Sequence, residues 1–135
     1  MSENIDVRVR FCETDALGHV NNTSYFIYLE EARVQFFEYL GKRSGTDDWP
    51  FILVSTKCDF IKQVYFKQEL RIETSVKKIG SKSFTLLHLI KDSKSDDIVA
   101  EGEATVVYFD FTKQTSEIIP DELRIRLEES HQLLT

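Results

Sequence analysis

A chain of 135 residues has the length of one domain, and folding buries roughly two thirds of the surface of its extended form, enough for one core without metal or disulfide staples. Its 17 basic residues against 23 acidic ones, a net charge of -6, favour solubility and argue against nucleic acid as a partner. Two cysteines, Cys12 and Cys58, do not make a disulfide framework and suit a reducing cytoplasm; no apolar run approaches the ~20 residues of a membrane span, and "MSENIDVRVRF" has no apolar leader core.

No repeat, low-complexity tract or Gly/Ser linker divides the sequence, so residues 1–135 are expected to form a single domain. From Ile5 to Phe11, the apolar Ile5, Val7, Val9 and Phe11 alternate with Asp6, Arg8 and Arg10, the period of a strand with one buried face. The segment "ETDALGHVNN", Glu13 to Asn22, follows as a turn. From Thr23 the period changes: Tyr25, Leu29, Ala32, Phe36 and Leu40 recur at steps of three and four, with Phe26 and Phe37 widening the stripe, which predicts a helix of about five turns. Asn21 and Asn22 can cap its start, and Gly41 suits a left-handed cap at its end.

"GKRSGTDDWP" reads as a loop. Alternation then returns over residues 51–64, 69–79, 83–92 and 98–111, separated by short turns, and predicts an antiparallel meander of four strands. In "IPDELRIRLEESHQLL", Pro120 near the first helical position and Asp121 and Glu122 in the first turn predict a final helix. Its apolar residues, Leu123, Leu127, Leu133 and Leu134, are few, so it is expected to dock loosely. The class is α+β: a long helix, apolar around much of its girth, is most simply buried by a sheet wrapped around it.

Here the sequence resembles the 4-hydroxybenzoyl-CoA thioesterase-like branch of the hotdog-fold superfamily. The resemblance rests on Asp15, Gly18, His19, Val20, Asn21, Asn22 and Tyr25 within "ETDALGHVNNTSYFIYLEEAR", and extends through "KCDFIKQVYFKQELRIETSVKKIGSKSF" and "AEGEATVVYFD" to "IIPDEL". It implies a curled antiparallel sheet of about five strands around the long helix, with a C-terminal helix. It also implies an acyl-CoA substrate, no cofactor beyond the CoA of that substrate, and a homodimer seamed along the strand at residues 51–64, with pairing of dimers into a tetramer as a further step.

Carried over by position, Asp15 is the carboxylate that attacks the thioester or activates water, and the backbone N–H of Asn22 polarises the carbonyl, since the first amides of a helix lack helical partners. Gly18 lets the backbone bend close to substrate, His19 orients a neighbour or contacts substrate, Asn21 caps the helix or lines the site, and Tyr25 directs its hydroxyl toward the pocket. Gly80, Ser81, Lys82 and Ser83 resemble the family's segment beside the CoA arm; a solvated hairpin is the plainer reading of the same residues.

Competing assignments are a carboxylate on the long helix, Glu30 or Glu31, and a nucleophilic Cys12 with His19. Against the latter, Cys12 ends an alternating strand where a buried face is expected. His19, His88 and His131 have no zinc spacing, so no metal is expected. Two departures from the family pattern stand out: Gln63, Lys67 and Gln68 replace a common Pro-x-x-x-Gly-Asp turn, and Glu13 stands where an aspartate is often found. An acyl-CoA thioesterase is the leading reading; a non-hydrolytic acyl-CoA or acyl-carrier-protein binding module and a dehydratase-like enzyme are the alternatives.

Overall fold

The computed structural model describes residues 3–41 and 50–131. Strand β1, Glu3–Arg8, leads through a single 3-10 turn at Phe11–Glu13 into the long helix α1, Asn22–Tyr39; strands β2 (Phe51–Phe60), β3 (Glu69–Ile79), β4 (Ser83–Asp92) and β5 (Ile98–Asp110) follow, then a two-residue strand β6 (Thr115–Ser116) and helix α2 (Asp121–Glu129). Spatial order in the antiparallel sheet is β1-β3-β4-β5-β2, with β6 on the end of β5. The expected α+β class and curled sheet are observed. The meander is confined to β3, β4 and β5, because β2 crosses over to pair with β5 rather than with its sequence neighbour β3.

Asn21 caps α1, its side-chain oxygen accepting from the Thr23 N–H at 3.3 Å, while Asn22 is the first helical residue. The helix closes at Leu40, and Gly41 takes the left-handed conformation (φ +89°) that most residues avoid. Tyr25, Leu29, Ala32, Phe36, Phe37 and Leu40 are all buried against the sheet, each burial stabilising by about 1.5–3 kcal/mol for the larger aliphatic and aromatic side chains. Phe26 departs from the expected stripe: it is 37% exposed, turned toward the β2 edge, where its ring meets Phe60 at 6.4 Å.

The core has two apolar halves. One gathers Tyr25, Tyr28, Leu29, Leu70, Ile72 and Ile90; the other gathers Phe36, Phe51, Val76, Phe84, Leu86 and Leu127. Thr74 and His88, cross-strand partners on β3 and β4, are both buried and joined Oγ1 to Nδ1 at 2.8 Å, while His88 Nε2 has no partner among the described residues. Burial, and then the positive Arg33 side chain on α1, lower the His88 imidazole to about 3 from its ordinary 6.5, so it is held neutral. Opposite His88 in register lies Gly102, where an added Cβ would come within 2.6 Å of Leu29 Cδ1: the bare backbone lets the helix approach the sheet.

Three further expectations are corrected. The first strand ends at Arg8, not Phe11: the Glu13 carboxylate accepts from Arg10 N at 2.8 Å and curls the chain into the 3-10 turn, leaving Phe11 75% exposed and Cys12 exposed. The strand expected to reach Val64 ends at Phe60. Helix α2 is firmly docked, with Leu123 and Leu127 buried, Arg124 Nη2 donating to Gly80 O at 2.9 Å, and Val76 N donating to Ser130 O at 2.8 Å. Leu133, Leu134 and most of the "GKRSGTDDWP" loop lie outside the described residues. No helix among the described residues is long and apolar enough to cross a membrane.

Candidate active site

The segment between β1 and α1 forms a small hairpin-like loop at one end of the sheet. Its neck is an antiparallel bridge between Thr14 and Val20, and its tip closes where Asp15 N donates to His19 O at 2.7 Å and Gly18 N donates to Asp15 O at 3.1 Å. Gly18 sits at φ +83° with open space where a Cβ would be, so the turn demands a residue free of the left-handed penalty. The loop is pinned to the β2–β3 connection by Val20 N donating to Val64 O at 2.7 Å and by a bridge between His19 and Tyr65, whose rings meet edge to face at 5.1 Å.

Asp15 is exposed. Its Oδ1 accepts from the Leu17 N–H at 2.8 Å and the His19 N–H at 3.2 Å, and no donor occupies Oδ2 among the described residues. One carboxylate oxygen is therefore fixed and the other is available. At the helix start, Asn21 N donates to Glu13 O, Thr23 N to the Asn21 side chain and Ser24 N to Asn21 O, which leaves the Asn22 N–H as a first-turn donor without an acceptor among the described residues. This amide combines an unused hydrogen bond with the positive end of the α1 dipole. A carboxylate able to deliver or activate an oxygen nucleophile and a donor able to receive a developing oxyanion thus lie on one short loop.

Tyr25 lies just beneath this point, buried and edge-on to Phe60 at 4.9 Å. Asp15, Gly18, His19, Asn21, Asn22 and Tyr25 are therefore gathered at one end of the fold. Gly80, Ser81, Lys82 and Ser83 are not. They form the β3–β4 turn at the opposite end, separated by the length of β3, about 30 Å at ~3.3 Å per residue. That turn is anchored by its carbonyls: Ser81 O accepts from Ile119 N and Lys82 O from Tyr108 N, both at 2.9 Å, while the Ser81 and Lys82 side chains face solvent.

Cys12 is exposed in the 3-10 turn, not on a buried strand face. Glu30 and Glu31 are both exposed on α1, and Glu30 lies 4.0 Å from the Arg33 guanidinium. Among the described residues, no three His, Cys, Asp or Glu side chains converge as metal ligands would.

Sequence patterning missed Glu13 as a buried group. Its carboxylate accepts from Arg10 Nε at 3.0 Å, Arg10 Nη2 at 2.7 Å and the Tyr28 hydroxyl at 2.8 Å. Burial raises this carboxyl, but the Arg10 side chain and backbone and the Tyr28 hydroxyl outweigh it and hold the group below the usual carboxylate range. The available signal was Tyr28, three residues beyond Tyr25 on the helix, a polar tip in need of a partner.

This arrangement, a curled antiparallel sheet around one long helix, is the hotdog fold. Residues 9–127 match the family model described as the thioesterase-like superfamily. The chain belongs to that superfamily. It is 42% identical over 83 residues to the Bacillus subtilis protein YsmA, a match spanning 62% of this chain and 56% of that one. The long-chain acyl-CoA thioesterase FadM of Escherichia coli is 27% identical, with 91% of this chain and 95% of that one covered. The structure of a predicted thioesterase from Bacillus stearothermophilus superposes with a TM-score of 0.92 over 100% of both chains at 26% identity.

Proposed function

We propose that this protein hydrolyses acyl-CoA thioesters, with Asp15 as the reacting carboxylate and the Asn22 N–H as the oxyanion donor. The observation that carries this reading is the loop itself: Asp15 with Oδ1 held by two amides, and an unengaged Asn22 amide at the start of α1. Attack on the carbonyl carbon moves negative charge onto its oxygen, where a preorganised N–H is worth most. Asp15 either forms the new C–O bond itself, releasing CoA thiolate before water cleaves the acyl-enzyme, or draws a proton from a water that attacks directly. In both routes the C–S bond breaks, the acyl group gains the water oxygen and the CoA sulfur gains a proton. The reaction needs water and no cofactor apart from the CoA of the substrate.

The acting unit in this reading is a homodimer. One edge of β2 pairs with β5 while the other has no strand beside it among the described residues, and Leu53, Val54, Phe60 and Ile61 along it, with Phe26 and Ile27 on α1, are exposed. A long apolar edge strand calls for a partner strand. Antiparallel pairing of β2 with β2 of a second copy sets the Phe60 end of one beside the Phe51 end of the other. The Phe51 end lies next to the Gly80–Ser83 turn, because Phe51 pairs with Tyr108, whose N–H donates to Lys82 O. The two groups of predicted site residues, remote within one chain, would thus meet across the seam, with Ser81, Lys82 and Ser83 beside the pantetheine and phosphates of CoA. Pairing of such dimers into a tetramer uses the remaining faces. Cys12 and Cys58 are free thiols, which supports a cytoplasmic location.

The test is release of CoA thiol from acyl-CoAs ranging from acetyl to palmitoyl, with one aromatic acyl-CoA. Asp15→Asn, which keeps the shape of an exposed side chain, is expected to lower kcat by a factor of about 1000 on every substrate that the wild type cleaves, with the thermal midpoint nearly unchanged. Turnover by Asp15→Asn close to wild type would remove Asp15 from the mechanism. Tight binding of acyl-CoA without product by the wild type would make the protein a binding module.

A further inference from the structure

Glu13 is a carboxylate placed like a bolt through the base of the loop described above. Its side chain takes four hydrogen bonds from two directions. On the strand side, Oε1 accepts from Arg10 N at 2.8 Å and Oε2 accepts from Arg10 Nε and Nη2 at 3.0 and 2.7 Å. On the helix side, Oε1 accepts from the Tyr28 hydroxyl at 2.8 Å. Its backbone oxygen is engaged as well, by Asn21 N at 2.8 Å and by the Ser24 hydroxyl at 3.0 Å. The centre of this network is withdrawn from water, with Glu13 5% exposed, Tyr28 2% and Ser24 5%, while Arg10 and Asn21 at its margins are exposed.

The consequence lies in which residues these bonds bracket. Asp15 is two positions after Glu13, and Asn22 directly follows Asn21, the residue whose N–H Glu13 receives. Glu13 therefore closes the path from carboxylate to helix amide at its base, beside the Thr14–Val20 bridge, while the exposed tip is held by turn bonds within the loop and by the bridge from His19 to Tyr65. A buried carboxylate is costly to maintain unless its hydrogen bonds and its partner charge are complete. A surface turn would need no such group. We infer that Glu13, held by Tyr28 and Arg10, is a positioning residue that sets the spacing between the Asp15 carboxylate and the Asn22 amide, and so governs kcat without touching substrate.

This inference rests on the assignment of Asp15 and Asn22 made above, and its test keeps the two separable. Displacement of reacting groups by ~1 Å can cost about 100-fold in rate. Tyr28→Phe removes one hydroxyl and leaves the ring packed, so the protein should fold; its kcat is expected to fall about 10-fold with KM changed less than about twofold, the sign of an interaction lost in the transition state rather than in ground-state binding. Glu13→Gln, which loses the charge that holds the Arg10 fork, is expected to lose about 10- to 100-fold in kcat, again with KM preserved.

Leu86→Val, in the other apolar half of the core from Tyr28 and the loop, provides a destabilised control whose kcat should stay at the wild-type value. If Tyr28→Phe retains wild-type kcat, or if KM rises in its place, the positioning role is overturned, and Glu13 is a structural anchor only. If Glu13→Gln does not fold, Tyr28→Phe decides alone. Asp15→Asn, assayed beside them, separates the two failures: an inactive Asp15→Asn with an unimpaired Tyr28→Phe overturns the clamp, whereas an active Asp15→Asn overturns the catalytic assignment beneath it.

Discussion

Acid lability should be concentrated in one buried side chain, His88. Its imidazole is fully buried, donates to or accepts from Thr74 through Nδ1, and is lowered to about 3 by burial and by Arg33. Between that value and the ordinary 6.5, the unfolded chain binds a proton at this position and the folded chain does not, so stability is intact above pH 6.5 and declines as the pH falls through the window. Linkage gives a loss of about 2 kcal/mol at pH 5 and about 3 kcal/mol at pH 4 from this group alone. That is a large share of the 5–15 kcal/mol, in rough terms, that holds a typical domain together. Urea unfolding at fixed protein concentration, at pH 7, 5 and 4, would measure it, with His88→Leu as the reference that cannot titrate. The wild type should lose about 3 kcal/mol more than His88→Leu between pH 7 and pH 4, whatever the offset between them at pH 7. Equal losses in the two proteins would refute the argument that His88 is held neutral.

Other outcomes follow from single contacts. Gly102→Ala drives a methyl to within 2.6 Å of Leu29 and 3.3 Å of the Lys57 carbonyl oxygen, and should destabilise by about 1–3 kcal/mol in denaturant titration. Combining it with Leu29→Ala should cost less than the sum of the two single changes, since the smaller side chain relieves the clash. Asn21→Ala should cost about 1 kcal/mol through loss of the α1 cap, and Asn21→Asp, an equally good cap, should recover it in thermal melts. Val54→Lys places a charge on the exposed β2 edge and should shift light scattering toward the monomer, with activity falling in parallel; a fully active monomer would show that the seam is not needed for catalysis.

Much of the local structure was legible because it follows from nearest-neighbour chemistry. The stripe from Tyr25 to Leu40 announced α1, since a 3.6-residue period has few other interpretations, and Asn21 and Gly41 marked its ends by the backbone groups they can satisfy and the conformations they tolerate. The strands β3, β4 and β5 followed from alternation on one buried face. Where patterning failed, a side chain had a partner distant in sequence. Phe11 kept the alternation of β1 but was carried outward because Glu13 captured Arg10 and Tyr28. Leu123 and Leu127 looked too few to hold α2, yet Ile119, Phe36 and Leu86 complete their apolar surroundings, and Arg124 ties the helix to the Gly80 turn.

By itself the sequence determined that the fold is of the α+β class, that a long apolar helix must be wrapped by strands, and that Asp15, Gly18 and Asn22 share one turn, because these depend on period, on side-chain size and on residues close along the chain. Tertiary structure decided what depends on distant pairing. The crossover of β2 to β5 leaves the other edge of β2 with no strand beside it among the described residues, and β3 holds Gly80–Ser83 at the far end from Asp15. The packing of α1 on the sheet likewise buried Glu13 and His88, two polar groups whose consequences arise from the neighbours that desolvate them rather than from the residues beside them in the chain.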